Sequence, residues 1–224
     1  METFLIVKLC GVMQAWGGHT YEDYRPCELF PTRSGLVGLL AACLGLRRQD
    51  SADQRRLAEG LRFAVRADAQ AGPDGTPLSS RKITDFHTVE NARRVDGKPG
   101  KFPVVSRREY LCDARFTVAL GFQPRAAFGF DRIRQALGRP KFTPYLGRRS
   151  CPIGRPLLAG VVEADSIVGA LAAVEPGGGT VYSEEPMPGA APIRVRDVPT
   201  FGRNRQFLTR TVFVRHEENT HVSD

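Results

Sequence analysis

Residues 4–10 read FLIVKLC, an apolar and largely branched run of strand length broken only by Lys8. A strand with one wet face alternates apolar and polar residues, whereas a strand that is apolar throughout has to be covered on both faces. The run therefore predicts a central strand with a layer of structure on each side. A chain of 224 residues can bury such a core without help from disulfides or a metal.

The segments that follow supply the rest of a layered fold. Leu36, Leu39, Leu40, Cys43 and Leu44 recur at helical spacing, with Thr32 or Ser34 available as N-cap. Ser51 and Gln54 form a capping-box pattern that opens a short helix through Leu57. In LRFAVRAD, 61–68, Leu61, Phe63 and Val65 alternate with Arg62, Ala64 and Arg66, which predicts a strand with one face open to solvent or ligand. Residues 70–79 are turn-forming, and the stretch at about 80–109 mixes β-branched and basic residues around a Gly/Pro-rich middle, as in a long basic hairpin or arm. Two more strands are expected around Phe116, Val118 and Leu120 and over 156–164, separated by a helix that Asp131 would cap, with Ile133, Ala136 and Leu137 on its apolar side.

The order strand, helix, strand, arm, strand, helix, loop, strand matches the β-α-β-β-α-β ferredoxin-like plan of an α+β protein, with the arm inserted between the second and third strands. That plan occupies residues 1–165. Residues 166–224 read as an extension: a helix capped by Asp165 or Ser166, an irregular stretch EPGGGTVYSEEPMPG, and late strands in IRVRDVP and RTVFVRH that form a small second sheet or extend the first.

Charge narrows the function. Lys+Arg 32 against Asp+Glu 24 gives +8, with a pI near 9.6, so an anionic partner is expected, most commonly nucleic acid. Of the 32 basic residues only Lys8, Lys82, Lys98, Lys101 and Lys141 are lysines; arginine forks onto phosphate and stacks on bases, although a GC-rich genome produces the same bias. Between positions 132 and 162 stand Arg132, Arg134, Arg139, Lys141, Arg148, Arg149 and Arg155 with no carboxylate at all, unlike an ordinary ion-paired surface. Inside that span FTPYLGRRSCP, 142–152, places Tyr145, Gly147, Arg148 and Arg149 together, a composition suited to holding phosphate. Arg194, Arg196, Arg203, Arg205, Arg210 and Arg215 make a second basic cluster.

The first loop offers Gln14, Trp16, Tyr21, Tyr24 and Arg25 as a base-stacking surface, though a lone tryptophan is as often a core residue. Arg33 and Ser34 sit where a helix start favours a phosphate, and Gly35 would let a backbone come close.

Other chemistries have little footing. The cysteines 10, 27, 43, 112 and 151 are odd in number with no CxxC pair, which reads as free thiols in a reducing cytoplasm and no metal site. There is no run of membrane-spanning length, no signal peptide, and no Walker, G-x-S-x-G or H-E-x-x-H motif, so no cofactor and no membrane are expected. His87, with Lys82 and Tyr110, would be the set for metal-independent RNA cleavage through a 2′-hydroxyl; a lone histidine in an arm is more often a binding or packing residue, and no residue is assigned as catalytic.

Taken in order, GVMQAWG, RPCELFPTRSGLVGLLAACLGL, FAVRAD, DFHTV, REYLCDARFTVAL, FTPYLGRRSCP and VYSEE resemble the crRNA-handle-binding subunits of type I-E CRISPR Cascade complexes, a family within the RAMP superfamily. The similarity is weakest at 90–104, at GFQPRAAFGFDR and beyond 186. It implies an RRM-like ferredoxin domain with a thumb-like hairpin over 80–109 and a non-catalytic, cytoplasmic, antiviral role. The subunit would cap the 5′ handle of crRNA, bridge the CasC backbone subunits to the large CasA subunit, and meet target DNA indirectly through the complex. Related type I-C proteins cut RNA, which makes an endoribonuclease that processes CRISPR repeats the alternative. Carried onto this chain, the family role gives handle phosphates to Arg148 and Arg149, the RNA path to Tyr145, Trp16, Gln14, Arg25 and Gly147, a phosphate at the helix start to Arg33 and Ser34, and thumb contacts to Arg81, His87, Arg107 and Arg108.

Overall fold

The computed structural model describes residues 1–74, 76–78, 80–92, 102–201 and 206–217. Lys98, Lys101, Arg203, Arg205, His221 and the middle of the arm lie outside the described residues. In chain order the elements are β1 (Glu2–Cys10), β2 (Met13–Gln14), β3 (Tyr24–Arg25), α1 (Arg33–Leu44), α2 (Ser51–Glu59), β4 (Leu61–Asp68), β5 (Gln70–Ala71), β6 (Pro77–Leu78), β7 (Arg81–Val89), β8 (Val104–Cys112), β9 (Arg115–Phe122), α3 (Phe130–Gly138), β10 (Leu158–Ala164), α4 (Ile167–Ala172), β11 (Gly179–Ser183), β12 (Ala191–Pro199) and β13 (Phe207–Glu217).

Strand β1 is covered on both faces, as its composition requires. Leu5, Val7 and Leu9 join the core beneath α1, α2 and α3, while Phe4 and Ile6 face a second cluster built on Ile167, Ala170 and Leu171 of α4. Around β1 runs an antiparallel sheet in the order β10-β1-β9-β4-β11-β13-β12. Counted among β1, β4, β9 and β10 alone, the spatial order is fourth, first, third, second. The late strands therefore extend this sheet, and the stretch expected to be irregular contains β11, which joins β4 to β13.

Strand β4 departs from its pattern in an instructive way. Its supposedly open face is roofed by α4 and the turn after it, so Ala64 and Arg66 are both fully buried. Arg66 survives there because every branch of its guanidinium is used: Nε donates to Asp68 (2.9 Å), Nη1 to the Leu171 carbonyl (2.7 Å) and Nη2 to the Val174 carbonyl (2.7 Å). Lys8, the one polar residue in the FLIVKLC run, reaches the same network, with Nζ 2.5 Å from Thr117 Oγ1 and 3.6 Å from Asp68. Burial pulls the Lys8 amine below its ordinary range, opposed by Asp68.

Helix α1 begins at Thr32, whose Oγ1 accepts from the Gly35 N–H at 3.3 Å, and stops at Gly45 in the left-handed conformation (φ 79°). The capping box expected at Ser51 does not form: Asp50 precedes α2 and Gln54 instead donates to the Arg47 carbonyl (2.6 Å). Asp131 lies in the first turn of α3 behind Gly129, so it does not cap the helix. Ser166 caps α4, accepting from Gly169 N–H at 3.0 Å.

A second sheet is centred on β8. One edge pairs with β7 over nine residue pairs from Arg81↔Cys112 to Val89↔Val104, and the other takes β2 and, in parallel, β3. The basic stretch is thus a long hairpin whose base is clamped to the first loop. Pairing fixes its two faces: Ile83, Asp85, His87, Arg108 and Tyr110 share one, and Lys82, Thr84, Phe86, Arg107 and Glu109 share the other.

Candidate nucleic-acid interface

The loop that follows α3 is held from several sides. Lys141 and Phe142 donate backbone N–H groups to the Cys43 and Ala42 carbonyls at the end of α1, and Leu146 and Cys151, both wholly buried, pair at 2.8 Å. Between them Gly147 adopts φ 84°, and a Cβ there would lie 1.8 Å from the Ala15 carbonyl oxygen. The glycine is required for this close approach, and it locks the loop against the first loop instead of loosening it. Arg148 and Arg149 are projected from that rigid turn.

Arg148 makes no ion pair. Its Nη1 donates to the Glu109 carbonyl (3.3 Å), its Nη2 to the Arg25 carbonyl (3.4 Å), and its guanidinium lies over the Tyr110 ring. Arg149 is exposed and has no carboxylate partner among the described residues. Together with Arg25, His87, Arg108, Tyr145, Gly147 and Ser150 they line an open cleft of about 490 Å³ between the loop, β3 and the base of the hairpin. Four guanidiniums thus face one space, and the nearest carboxylate on that hairpin face, Asp85, is already paired with His87 Nε2 at 2.5 Å. Seven of the sequence-predicted residues meet here, in an arrangement that attracts phosphates.

The remaining predicted residues separate. Gln14 and Trp16 have no exposed surface: Trp16 Nε1 donates to Gln14 Oε1 (3.0 Å), and Gln14 Nε2 donates to the Ala114 carbonyl (2.6 Å). From these positions neither can stack on or line RNA, and Gly35 serves to seat the Trp16 ring, which a Cβ would approach to 2.8 Å. Arg33 is likewise structural. Its guanidinium binds Glu184 and the Ala58 carbonyl, and its backbone N–H donates to Asp197 at 2.7 Å, so the helix start already has its anion. Ser34 lies near that start beside a different cleft. Arg81 is exposed near the hairpin base, and Arg107 sits on the opposite hairpin face, paired with Asp23 at 3.3 Å. Of the second basic cluster, Arg210 is bound by Asp197 and Glu184, and Arg215 by Glu217.

Two organising residues were not singled out by their own chemistry. Glu109, on the reverse face of β8, accepts from the Cys27 N–H (2.8 Å), Lys82 Nζ (2.9 Å) and the Tyr24 hydroxyl. Burial would raise its carboxyl pKa, but the bonds from Cys27, Tyr24 and Lys82 outweigh it and the net shift is downward. The Glu109 bond correspondingly raises the Tyr24 phenol, and burial pushes the Cys27 thiol up to about 11. Tyr110, on the cleft face, supports Arg148 and meets His87 Nε2 through its hydroxyl at 3.2 Å. The alternation in REYL was the only available signal for either. It also divides the His87–Lys82–Tyr110 set, since Lys82 is held by Glu109 and the Cys27 carbonyl away from His87.

Among the described residues no three histidine, cysteine or acidic groups converge as a metal site, and no helix is long and apolar enough to cross a membrane.

Comparison with known proteins agrees with this geometry. A curated relative, the CRISPR system Cascade subunit CasD of Escherichia coli strain K12, is 44% identical over 216 residues, covering 96% of each chain. A chain of a solved CRISPR RNA-guided surveillance complex is similar at TM-score 0.73 and 30% identity, over 96% of this chain and 90% of that one. A crystal structure of a Cas protein matches at TM-score 0.64 and 27% identity, over 99% and 98%. The model of the CRISPR-associated protein family Cas_Cas5 matches residues 4–213, and the chain belongs to that family.

Proposed function

We propose that this chain is the non-catalytic subunit of a type I-E Cascade complex that caps the 5′ handle of crRNA and bridges CasC-type backbone subunits to a CasA-type large subunit, in the cytoplasm. Target DNA is then met through the assembled complex. The observation that carries the reading is the cleft where Arg25, Arg108, Arg148 and Arg149 converge without a free carboxylate. Family membership and the similarity to CasD support it. In the same reading the fourth, first, third, second order of β10, β1, β9 and β4 is a ferredoxin-like sheet of the RAMP type, and the β7–β8 hairpin is the thumb.

Single-stranded RNA suits such a cleft, because phosphates are held by guanidinium forks while unpaired bases remain free to stack on neighbouring rings. The test is the salt dependence of repeat-RNA binding. Replacing Arg148 and Arg149 by alanine should weaken binding and flatten the log–log salt slope by roughly 0.7 for each phosphate no longer neutralised. An unchanged slope would remove the loop from the RNA site.

A second reading, a metal-independent endoribonuclease, has one observation in its favour: His87 sits in the cleft between Asp85 and the Tyr110 hydroxyl. It requires discrete cleavage of repeat RNA in EDTA that disappears on His87→Ala. Intact, gel-shifted RNA is the outcome expected here.

A further inference from the structure

A second cleft, of about 530 Å³, adjoins the arginine cleft, and Gly147 lines both. One wall is the first turns of α1, with Ser34 and Gly38; the floor is the Gly17–Gly18 stretch; the far wall is the end of the β12–β13 pair, with Phe201 and Phe207. Its chemistry differs from that of its neighbour. The start of α1 would ordinarily attract an anion, but the Arg33 N–H is already taken by buried Asp197, which also binds Arg210. The guanidinium of Arg196, at the edge, spends its Nε on the Phe207 carbonyl at 2.9 Å. A phosphate here would gain little and would lie near a carboxylate.

The walls fit a flat, uncharged ring instead. Phe207 is about one-third exposed, at 37%, and Phe201 is half-buried beside it, so two aromatic side chains border the space. Gly38 is the more telling residue. It stands inside α1, where glycine weakens a helix relative to alanine, yet a Cβ at Gly38 would meet nothing within 4 Å, and the same holds at Gly17. No packing within the chain explains either glycine; both leave room in the cleft. A volume of this size lies within the range of about 300–1,000 Å³ typical of small-ligand pockets.

We propose that this cleft accepts an unpaired nucleobase of the same RNA strand whose phosphates the arginine cleft holds, the strand passing over Gly147 from one to the other. Phe201 and Phe207 stack on the base, Ser34 offers its hydroxyl to the base edge, and Gly17 and Gly38 provide clearance. The inference rests on the reading of the arginine cleft as an RNA site.

The test uses the full-length chain and a single-stranded RNA of the repeat-derived handle sequence, together with a series of the same RNA carrying one abasic nucleotide at each position in turn. Gly38→Leu fills the cleft from an exposed helix position and strengthens the helix, so its thermal midpoint should not fall; Gly38→Ala leaves most of the space and serves as control. Gly38→Leu should weaken binding about 10-fold or more, the loss expected when one stacked base is displaced, with an unchanged salt slope. One abasic position should cost wild type a similar factor and cost Gly38→Leu almost nothing. Unchanged affinity of Gly38→Leu, or an abasic penalty equal in both proteins, overturns the proposal, as does intact RNA binding with lost co-purification of other complex subunits, which would make the cleft a protein-docking groove. The arginine-cleft reading fails separately, by an unchanged salt slope in the Arg148→Ala, Arg149→Ala protein.

Discussion

The guanidinium of Arg148 lies 4.7 Å from the centroid of the Tyr110 ring, on the cleft face of the hairpin base. Tyr110 is almost wholly buried, so the ring is a fixed platform, and the two carbonyls that accept from Arg148 belong to β3 and β8 on either side of it. Arg148 is consequently held in place before any ligand arrives, without a carboxylate to compete for its charge. A pre-placed cation loses less side-chain entropy on binding than a free one.

Tyr110 is therefore expected to influence RNA affinity through Arg148. Tyr110→Phe keeps the ring and loses only the bond to His87, so affinity should stay near wild type. Tyr110→Leu removes a cation–π interaction of about 0.5–1 kcal/mol, which corresponds to a loss of roughly two- to fivefold. Equilibrium binding of repeat RNA to the two variants checks this, and equal affinities would show that the platform is irrelevant.

Gly147→Ala should be among the most damaging single changes near the cleft. Its φ of 84° disfavours any side chain, and the new methyl carbon would start 1.8 Å from the Ala15 oxygen, which is backbone and cannot swing aside. A cost on the order of 1–3 kcal/mol in unfolding free energy is expected from the strained conformation alone, with the clash adding to it. RNA affinity should drop as well, because the loop that carries Arg148 and Arg149 can relieve the clash only by moving. Denaturant unfolding and RNA binding of the purified variant measure both, and a variant as stable as wild type would contradict the geometry.

What the sequence made legible is what local pattern controls. The apolar run of β1, the spacing of Leu36 to Leu44 in α1 and the FTPYLGRRSCP loop could each be read from neighbouring residues. Partners distant in the chain erased other signals. Arg66 looked solvent-facing because α4, which roofs it, lies a hundred residues later. Trp16 and Gln14 looked like a stacking surface because only the fold reveals that they bond each other beneath α1. Arg33 resembled a phosphate ligand until β12 supplied Asp197 to the same helix start. The arginine loop stayed legible because the lack of nearby carboxylates in sequence persisted in space.

The buried network around Arg66 yields a stability prediction independent of RNA. Removing one member of a buried ionic group leaves its partner desolvated and unpaired, at a typical cost of about 3–5 kcal/mol. Arg66→Met should approach that loss, since Asp68 keeps Thr117 and Lys8 but loses its closest cation. Adding Asp68→Asn should recover part of it by neutralising the stranded carboxylate, while Lys8, already shifted downward by burial, can release its proton. Urea unfolding of the single and double variants decides the point; a double variant no better than the single would mean that the loss comes from packing and not from charge.

Glu109 links stability to pH and to the cleft together. Its folded pKa lies below the ordinary value of 4.5 because the bonds from Cys27, Tyr24 and Lys82 outweigh the effect of burial. A carboxyl depressed by folding is protonated first in the unfolded chain as pH falls. Its contribution is thus complete above the unfolded value and disappears as pH drops through the lower folded value. Glu109→Gln keeps the shape and some hydrogen bonding but cannot carry charge, and should lose about 1.5–3 kcal/mol near neutrality, the range for hydrogen bonds to a charged group. The gap between wild type and variant should close as the pH is lowered from about 7 toward about 3. Because this carboxylate ties Tyr24 and Cys27 to β8, and the Arg25 carbonyl between them holds Arg148, the variant should also bind RNA more weakly at neutral pH than wild type. Unfolding midpoints across that pH range provide the measurement: a stability gap that stays constant with pH would assign Glu109 a role in shape alone, and a closing gap would assign it the charge that holds the arginine cleft together.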